Sequence, residues 1–151
     1  RLMPAGGDPA VWRAVLREAD EELSRRKLSG ETTAVVVSVG PGGLRGASVG
    51  DSGAWLILPE GRLDLTRDQH AKPLIGSGAA FPVGFSCALS DGVLLVASDG
   101  LLKYASEEAI CGAALSGDLS AAARSLIDLV RLRSGALQDD ASVILLRCDK
   151  F

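Results

Sequence analysis

Residues 93–104 read VLLVASDGLLKY. Four apolar residues and an alanine run straight into Ser98, Asp99 and Gly100, and then the apolar pattern resumes. The run has the length and the valine content of a buried strand. A buried carboxylate without a partner is costly. Either something offsets that cost, or a strand that ends on Asp99 delivers it to a surface where a cation waits. Upstream, Asp91-Gly92 reads as a hairpin turn joining FSCAL (85–89) to VLLVAS (93–98). Asp99-Gly100 is different in kind, because no strand pattern follows it.

Further strands lie upstream. TTAVVVSV (32–39) is rich in β-branched residues, GPGG (40–43) is turn chemistry, and LRGASVG (44–50) is a second strand of small residues. DSG (51–53) breaks the pattern before AWLIL (54–58), and PEG (59–61) turns the chain into RLDLT (62–66). Short strands with tight turns predict an antiparallel meander. Residues 67–85 are irregular and read as a surface loop crossing an edge. Ahead of the strands, Asp8-Pro9 opens a helix with Trp12, Val15, Ala19 and Leu23 at helical spacing and Gly30 as its stop. Downstream, Ser106 caps one helix. Asp118 caps a second, with Leu119, Ala122, Leu126 and Val130 on one face and Gly135 as its end. ASVILLR (141–147) is the last strand. Strands and helices come in blocks, which favours an α+β fold with antiparallel sheets over a doubly wound one. The 151 residues are read as a single domain, 1–151.

Composition narrows the partners. The net charge is -3 and no basic run occurs, against a nucleic-acid surface. No apolar run approaches the ~20 residues needed to span a bilayer, and no signal peptide is visible. Cys87, Cys111 and Cys148 show no ligand spacing and read as reduced cysteines of a cytoplasmic protein. Aromatics are 4% of the chain, so the core must be aliphatic. Trp12 and Trp55 read as core residues.

Acidic residues sit at three strand ends. Asp51 follows LRGASVG, Asp99 follows VLLVAS, and Asp139 and Asp140 precede the last strand. Carboxylates that converge at one sheet edge repel unless a hard cation sits between them, and Mg²⁺ or Mn²⁺ suits oxygen ligands. The same residues are also ordinary turn formers, and spacing does not separate the two readings.

VGDSGAWLI (49–57), LLVASDGLL (94–102) and QDDASVILL (138–146), in that order, resemble the metal-dependent Ser/Thr protein phosphatases of the type 2C class. GETTAVVVSV (30–39) is similar to that family's GSTA strand and LDLTRDQH (63–70) to its LTxDHS element, and SEEAI (106–110) falls where the family starts a helix. The resemblance covers about residues 30–147. It implies two antiparallel sheets packed face to face and flanked by helices. It implies two or three Mg²⁺ or Mn²⁺ ions, two of them holding a water that attacks phosphoserine or phosphothreonine directly. It implies a phosphorylated protein as partner, a Ser/Thr kinase or one of its targets, in bacterial signalling. By position, Asp99 and Asp139 are core metal ligands, Gly100 allows the tight backbone, Asp140 supports, and Asp51 is the ligand of a third metal shared with Asp99.

The chain also departs from the family. The early DGxGG strand end is not found; PAGGDP (4–9) has the glycines without the Asp, so the N-terminal strands are expected to be missing. Gly53 replaces an Arg, and Lys103 stands in place of a second Asp. The family's proton-donating His accompanies the missing motif, so His70 is read as a loop or edge residue. These departures keep open a degenerate, non-catalytic domain that binds a protein partner.

Overall fold

The computed structural model describes residues 8–26 and 30–148. The glycines of PAGGDP and the three residues before Gly30 lie outside the described residues. The elements run α1 (Pro9–Arg25), β1 (Ala34–Gly40), β2 (Gly43–Val49), β3 (Gly53–Leu58), β4 (Gly61–Asp64), β5 (Val83–Cys87), β6 (Gly92–Ala97), α2 (Asp99–Leu102), α3 (Glu107–Leu115), α4 (Leu119–Leu129) and β7 (Val143–Cys148). The class is α+β, with two antiparallel sheets flanked by helices.

The chain forms two compact units. The first holds the described residues through Ser52 together with Leu65–Leu89. Its sheet has the order β1-β2-β5. Helix α1 begins as the sequence predicts: the Asp8 carboxylate accepts the Ala10 N–H at 2.8 Å, and Pro9 occupies the first turn. The helix lies on β2 and β5, where Trp12 and Leu16 join Ala47, Val49 and Ile75 in one apolar cluster. Its buried residues are Trp12, Leu16 and Asp20, and Ala19 and Leu23 pack partly buried against the same cluster, so the stripe the periodicity predicts also carries a carboxylate. Helix α1 ends at Arg25, before Gly30.

The second unit holds Gly53–Asp64 and the described residues from Ser90 to Cys148. Its sheet has the order β4-β3-β6-β7. Trp55, Ile57, Leu95 and Ala97 pack with Leu101 of α2, Ile110 and Ala114 of α3, and Leu126 and Val130 at the end of α4. Ser106 and Asp118 cap α3 and α4 as the sequence predicts. Helix α4 stops at Leu129, short of Gly135. Gly135, at φ 87°, closes a tight loop in which its N–H donates to Leu132 O at 2.8 Å. Strand β7 pairs only with β6 among the described residues, and Ile144 and Leu146 are exposed on it.

The strands fall where the sequence places them, but two pairings differ. The predicted meander breaks after β2, because β2 and β3 belong to different sheets. FSCAL and VLLVAS form no hairpin: β5 pairs with β2, and β6 pairs with β3 and β7. Ser90–Gly92 therefore carries the chain from one sheet to the other. An apolar run identifies a strand but not its partner. Gly84 of β5 lies close against α1, since an added Cβ there would lie 3.0 Å from Pro9 and Arg13.

Leu126 is fully buried and Leu129 is 39% exposed on the same helix. Leu126→Ala is expected to cost about 2–5 kcal/mol, and Leu129→Ala no more than about 0.5 kcal/mol. Urea midpoints of the two variants measure the difference.

Candidate metal centre

The antiparallel register decides which strand ends meet. Ala97, the last residue of β6, pairs with Val143, the first of β7. The residues after β6 and those before β7 therefore share one edge of the sheet. Asp99 stands at the start of α2, and Asp139 and Asp140 lie in the loop that enters β7.

Two small residues hold this edge together. Ser98 occupies the N-cap position of α2 without capping it through its side chain. Its hydroxyl instead donates to Asp140 O at 3.1 Å and accepts the Ser142 N–H at 2.9 Å, while the Ser98 N–H donates to Ser142 O at 3.0 Å. Gly100 is required for a different reason from the one its place after an Asp suggests. No turn conformation demands it; a Cβ there would lie 2.3 Å from Asp140 O. The Asp140 backbone can approach α2 only because position 100 has no side chain. Asp139 Oδ1 accepts the Asp140 N–H at 2.8 Å, which leaves its other oxygen outside that bond.

Lys103 Nζ stands 2.6 Å from Asp99 Oδ2. The lysine side chain is 55% exposed and that of Asp99 26%, and a solvent-accessible pair at this helical spacing is worth about 0.3–0.5 kcal/mol. That is about a factor of two in an equilibrium constant. Lys103 therefore engages Asp99 without barring a divalent cation from it.

Asp51 belongs to the first unit, in the turn between β2 and β3, and is half-buried. Gly50 adopts φ 98°, and a Cβ there would lie 2.6 Å from the Thr33 side chain, so glycine is needed for both conformation and space. The Gly50 N–H donates to His70 O at 3.2 Å, and the Gln69 Nε2 donates to Ser52 O at 2.7 Å. Thr33 and Ser52 hydroxyls are 2.8 Å apart. His70 thus serves this turn through its backbone; its side chain is exposed, with the ring 6.0 Å from Phe81. Neither Ser98 nor Gln69 was singled out from the sequence. A serine between a strand and an aspartate is a weak signal for the first, and nothing in the pattern marks the second.

The donors at these strand ends are all oxygens, the set a hard divalent cation takes. Asp99 and Asp139 reach one sheet edge, which fits such an ion. Among the described residues, no group of three or more His, Cys, Asp or Glu side chains converges on one ion position. Cys87, Cys111 and Cys148 are thiols. Burial, helped by Glu107, pushes the Cys111 thiol up, away from the thiolate that a covalent nucleophile needs.

No protein-family model matches the chain, and neither does any curated protein sequence. Solved structures do. A bacterial serine phosphatase carrying an arginine-to-alanine substitution is 21% identical, with a TM-score of 0.81 over 98% of this chain and 70% of that one. The catalytic domain of the Ser/Thr protein phosphatase PstP, in complex with two manganese ions, is 21% identical, with a TM-score of 0.81 over 97% of this chain and 74% of its own. The chain has the type 2C phosphatase fold. A third structure with it is PppA of Pseudomonas aeruginosa, a key regulatory component of T6SS, which is 19% identical with a TM-score of 0.79 over 99% of this chain and 75% of that one. The fold read from GDS, SDG and QDD is thus shared with Ser/Thr phosphatases. No helix among the described residues is long and apolar enough to cross a membrane.

Ser98→Ala removes the hydroxyl from two hydrogen bonds and is expected to cost about 1–3 kcal/mol. Gly100→Ala must displace the Asp140 backbone and is expected to cost about 1–3 kcal/mol by overpacking. In both variants, hydrogen exchange of the 139–142 amides should rise; unchanged exchange there would show that the edge is held by something else.

Proposed function

We propose that the protein is a metal-dependent protein Ser/Thr phosphatase that hydrolyses phosphoserine or phosphothreonine in a phosphorylated protein, a Ser/Thr kinase or one of its targets. The observation that carries this reading is the joining of Asp99 and Asp139 to one sheet edge by Ser98 and Gly100, inside a fold shared with Ser/Thr phosphatases. Asp99 and Asp139 are proposed as ligands of Mg²⁺ or Mn²⁺, with Asp140 and Gly100 shaping the edge and Asp51 as a further ligand. When bound, such a cation supplies Lewis-acid stabilisation of charge on the phosphoryl oxygens and activates water for attack. The chain's own part is to hold carboxylate oxygens in place. Ser98 fixes the backbone on both sides of Ala141, Gly100 lets that backbone close on α2, and the short Asp139–Asp140 contact orients the Asp139 carboxylate. The reduced cysteines support a cytoplasmic site of action.

One observation favours a second reading. The carboxylates at the described strand ends do not assemble a set of three around one ion position. A phosphatase-like domain that binds a protein partner without hydrolysis would show the same edge.

The experiment is Mn²⁺ calorimetry followed by a phosphothreonine-peptide assay on the same samples. Asp99→Asn and Asp139→Asn are each expected to abolish Mn²⁺ binding at this edge and the turnover that depends on it. Hydrolysis that survives both substitutions would refute the proposed site; metal binding without hydrolysis would favour the binding domain. Lys103→Met should tighten Mn²⁺ binding about twofold, since it removes the cation that competes for Asp99 Oδ2.

A further inference from the structure

Asp20 is a buried carboxylate, 2% exposed, on the inner face of α1. It does not pair with a cation in any described contact. Its Oδ1 accepts the N–H groups of Gly76 at 2.7 Å and Gly78 at 3.0 Å, and its Oδ2 accepts that of Ala80 at 3.0 Å. Gly76 and Gly78 have φ values of 102° and 77°, which turn alternate amides to one side of the loop and make a concave anion-binding nest. The nest is filled from within the chain, by a carboxylate more than fifty residues away in sequence. Three donors on one carboxylate offset its burial.

The loop that Asp20 grips also holds the Asp51 turn. Ile75 exchanges two backbone hydrogen bonds with Thr32, both 3.0 Å, and is buried beside Trp12, Leu16 and Val49. Further back along the same loop, Gln69 donates to Ser52 O and His70 O accepts from Gly50. Leu74 packs where a side chain on Gly50 would stand. Helix α1, the loop and the Gly50–Asp51–Ser52 turn thus form one continuous series of contacts. Gln69 holds its place at a cost: its Oε1 is buried and has no hydrogen-bond partner among the described residues. An orphaned acceptor costs about 1–3 kcal/mol. A methionine of similar shape would avoid that cost but would give up the hydrogen bond to Ser52 O, so what the amide contributes is its one bond to the turn.

We propose that Asp20 and Gln69 are positioning residues that set the conformation of the Gly50–Asp51–Ser52 turn from helix α1. The consequence for cation binding rests on the reading of Asp51 as a metal ligand. Residues that orient a metal ligand without touching the ion commonly change affinity by 10–100-fold when removed.

The test has a metal-free part and a metal part. On the metal-free 151-residue chain, hydrogen exchange is followed in wild type, Asp20→Asn and Gln69→Met. An asparagine offers one acceptor oxygen where the carboxylate offered two. Asp20→Asn should therefore speed exchange at residues 76–80 and at 50–52 together. Gln69→Met trades an orphaned acceptor for the lost bond to Ser52 O, so it should speed exchange at 50–52 with little change in thermal stability, a combination that a purely structural role would not produce. With Mn²⁺, Gln69→Met should weaken by about tenfold the binding event that Asp51→Asn removes, and leave the Asp99-dependent event within twofold. Faster exchange confined to 76–80 in Asp20→Asn, or an unmoved turn in Gln69→Met, would overturn the proposal. If the exchange coupling holds but Asp51→Asn removes no Mn²⁺ event, the positioning stands and the ligand role of Asp51 falls.

Discussion

The second unit depends on how closely two backbones can approach at the end of β6. Position 100 has no side chain, and the Asp140 carbonyl occupies the space a Cβ would fill. The Ser98 hydroxyl then bonds on both sides of Ala141, acting as donor to one residue and acceptor to the other. Antiparallel pairing of β6 and β7 brings these segments to one edge, but it does not by itself bring the loops into contact. The serine and the glycine supply that last step. Asp99 and Asp139 are presented together because the residues beside them are small.

The first unit solves a similar problem differently. The segment between β4 and β5 is long and has no regular structure, so few backbone groups within it pair with each other. Such a loop is fixed only if something outside it satisfies its amides. Asp20 does this from a helix, and Thr32 does it through two backbone hydrogen bonds with Ile75, whose side chain enters the apolar cluster. A turn that carries a half-buried aspartate then rests on a segment that a helix holds in place. The ordering is long-range in sequence and entirely local in space.

This contrast explains how much was legible in the sequence. The strands, α1, α3 and the start of α4 could be read because alternation, β-branching and capping residues are local signals: Asp8, Ser106 and Asp118 each announce a helix within a few positions. The acidic strand ends were equally visible, and so was their order. The pairing of β5 was not, because an apolar run marks a strand without naming its partner. Asp20 was missed because periodicity assigns a buried helical position to an apolar residue, and its three partners are loop amides that no pattern marks. Gly100 was found for its neighbour Asp99, yet its reason is a carbonyl forty residues further along the chain. Contacts of this kind are properties of the fold and leave no trace in spacing.

Strand β7 has a consequence of its own. One side of it is bonded to β6, while the other offers a row of backbone donors and acceptors with no strand beside it among the described residues. Ile144 and Leu146, which project from it, are 68% and 43% exposed. Natural sheets usually blunt such a border with proline, lysine or a bulge. Here the strand is VILLRC, and Arg147 near its far end is the one charge in it. At high concentration this border offers another extended chain a place to pair, and it begins just beyond the acidic edge.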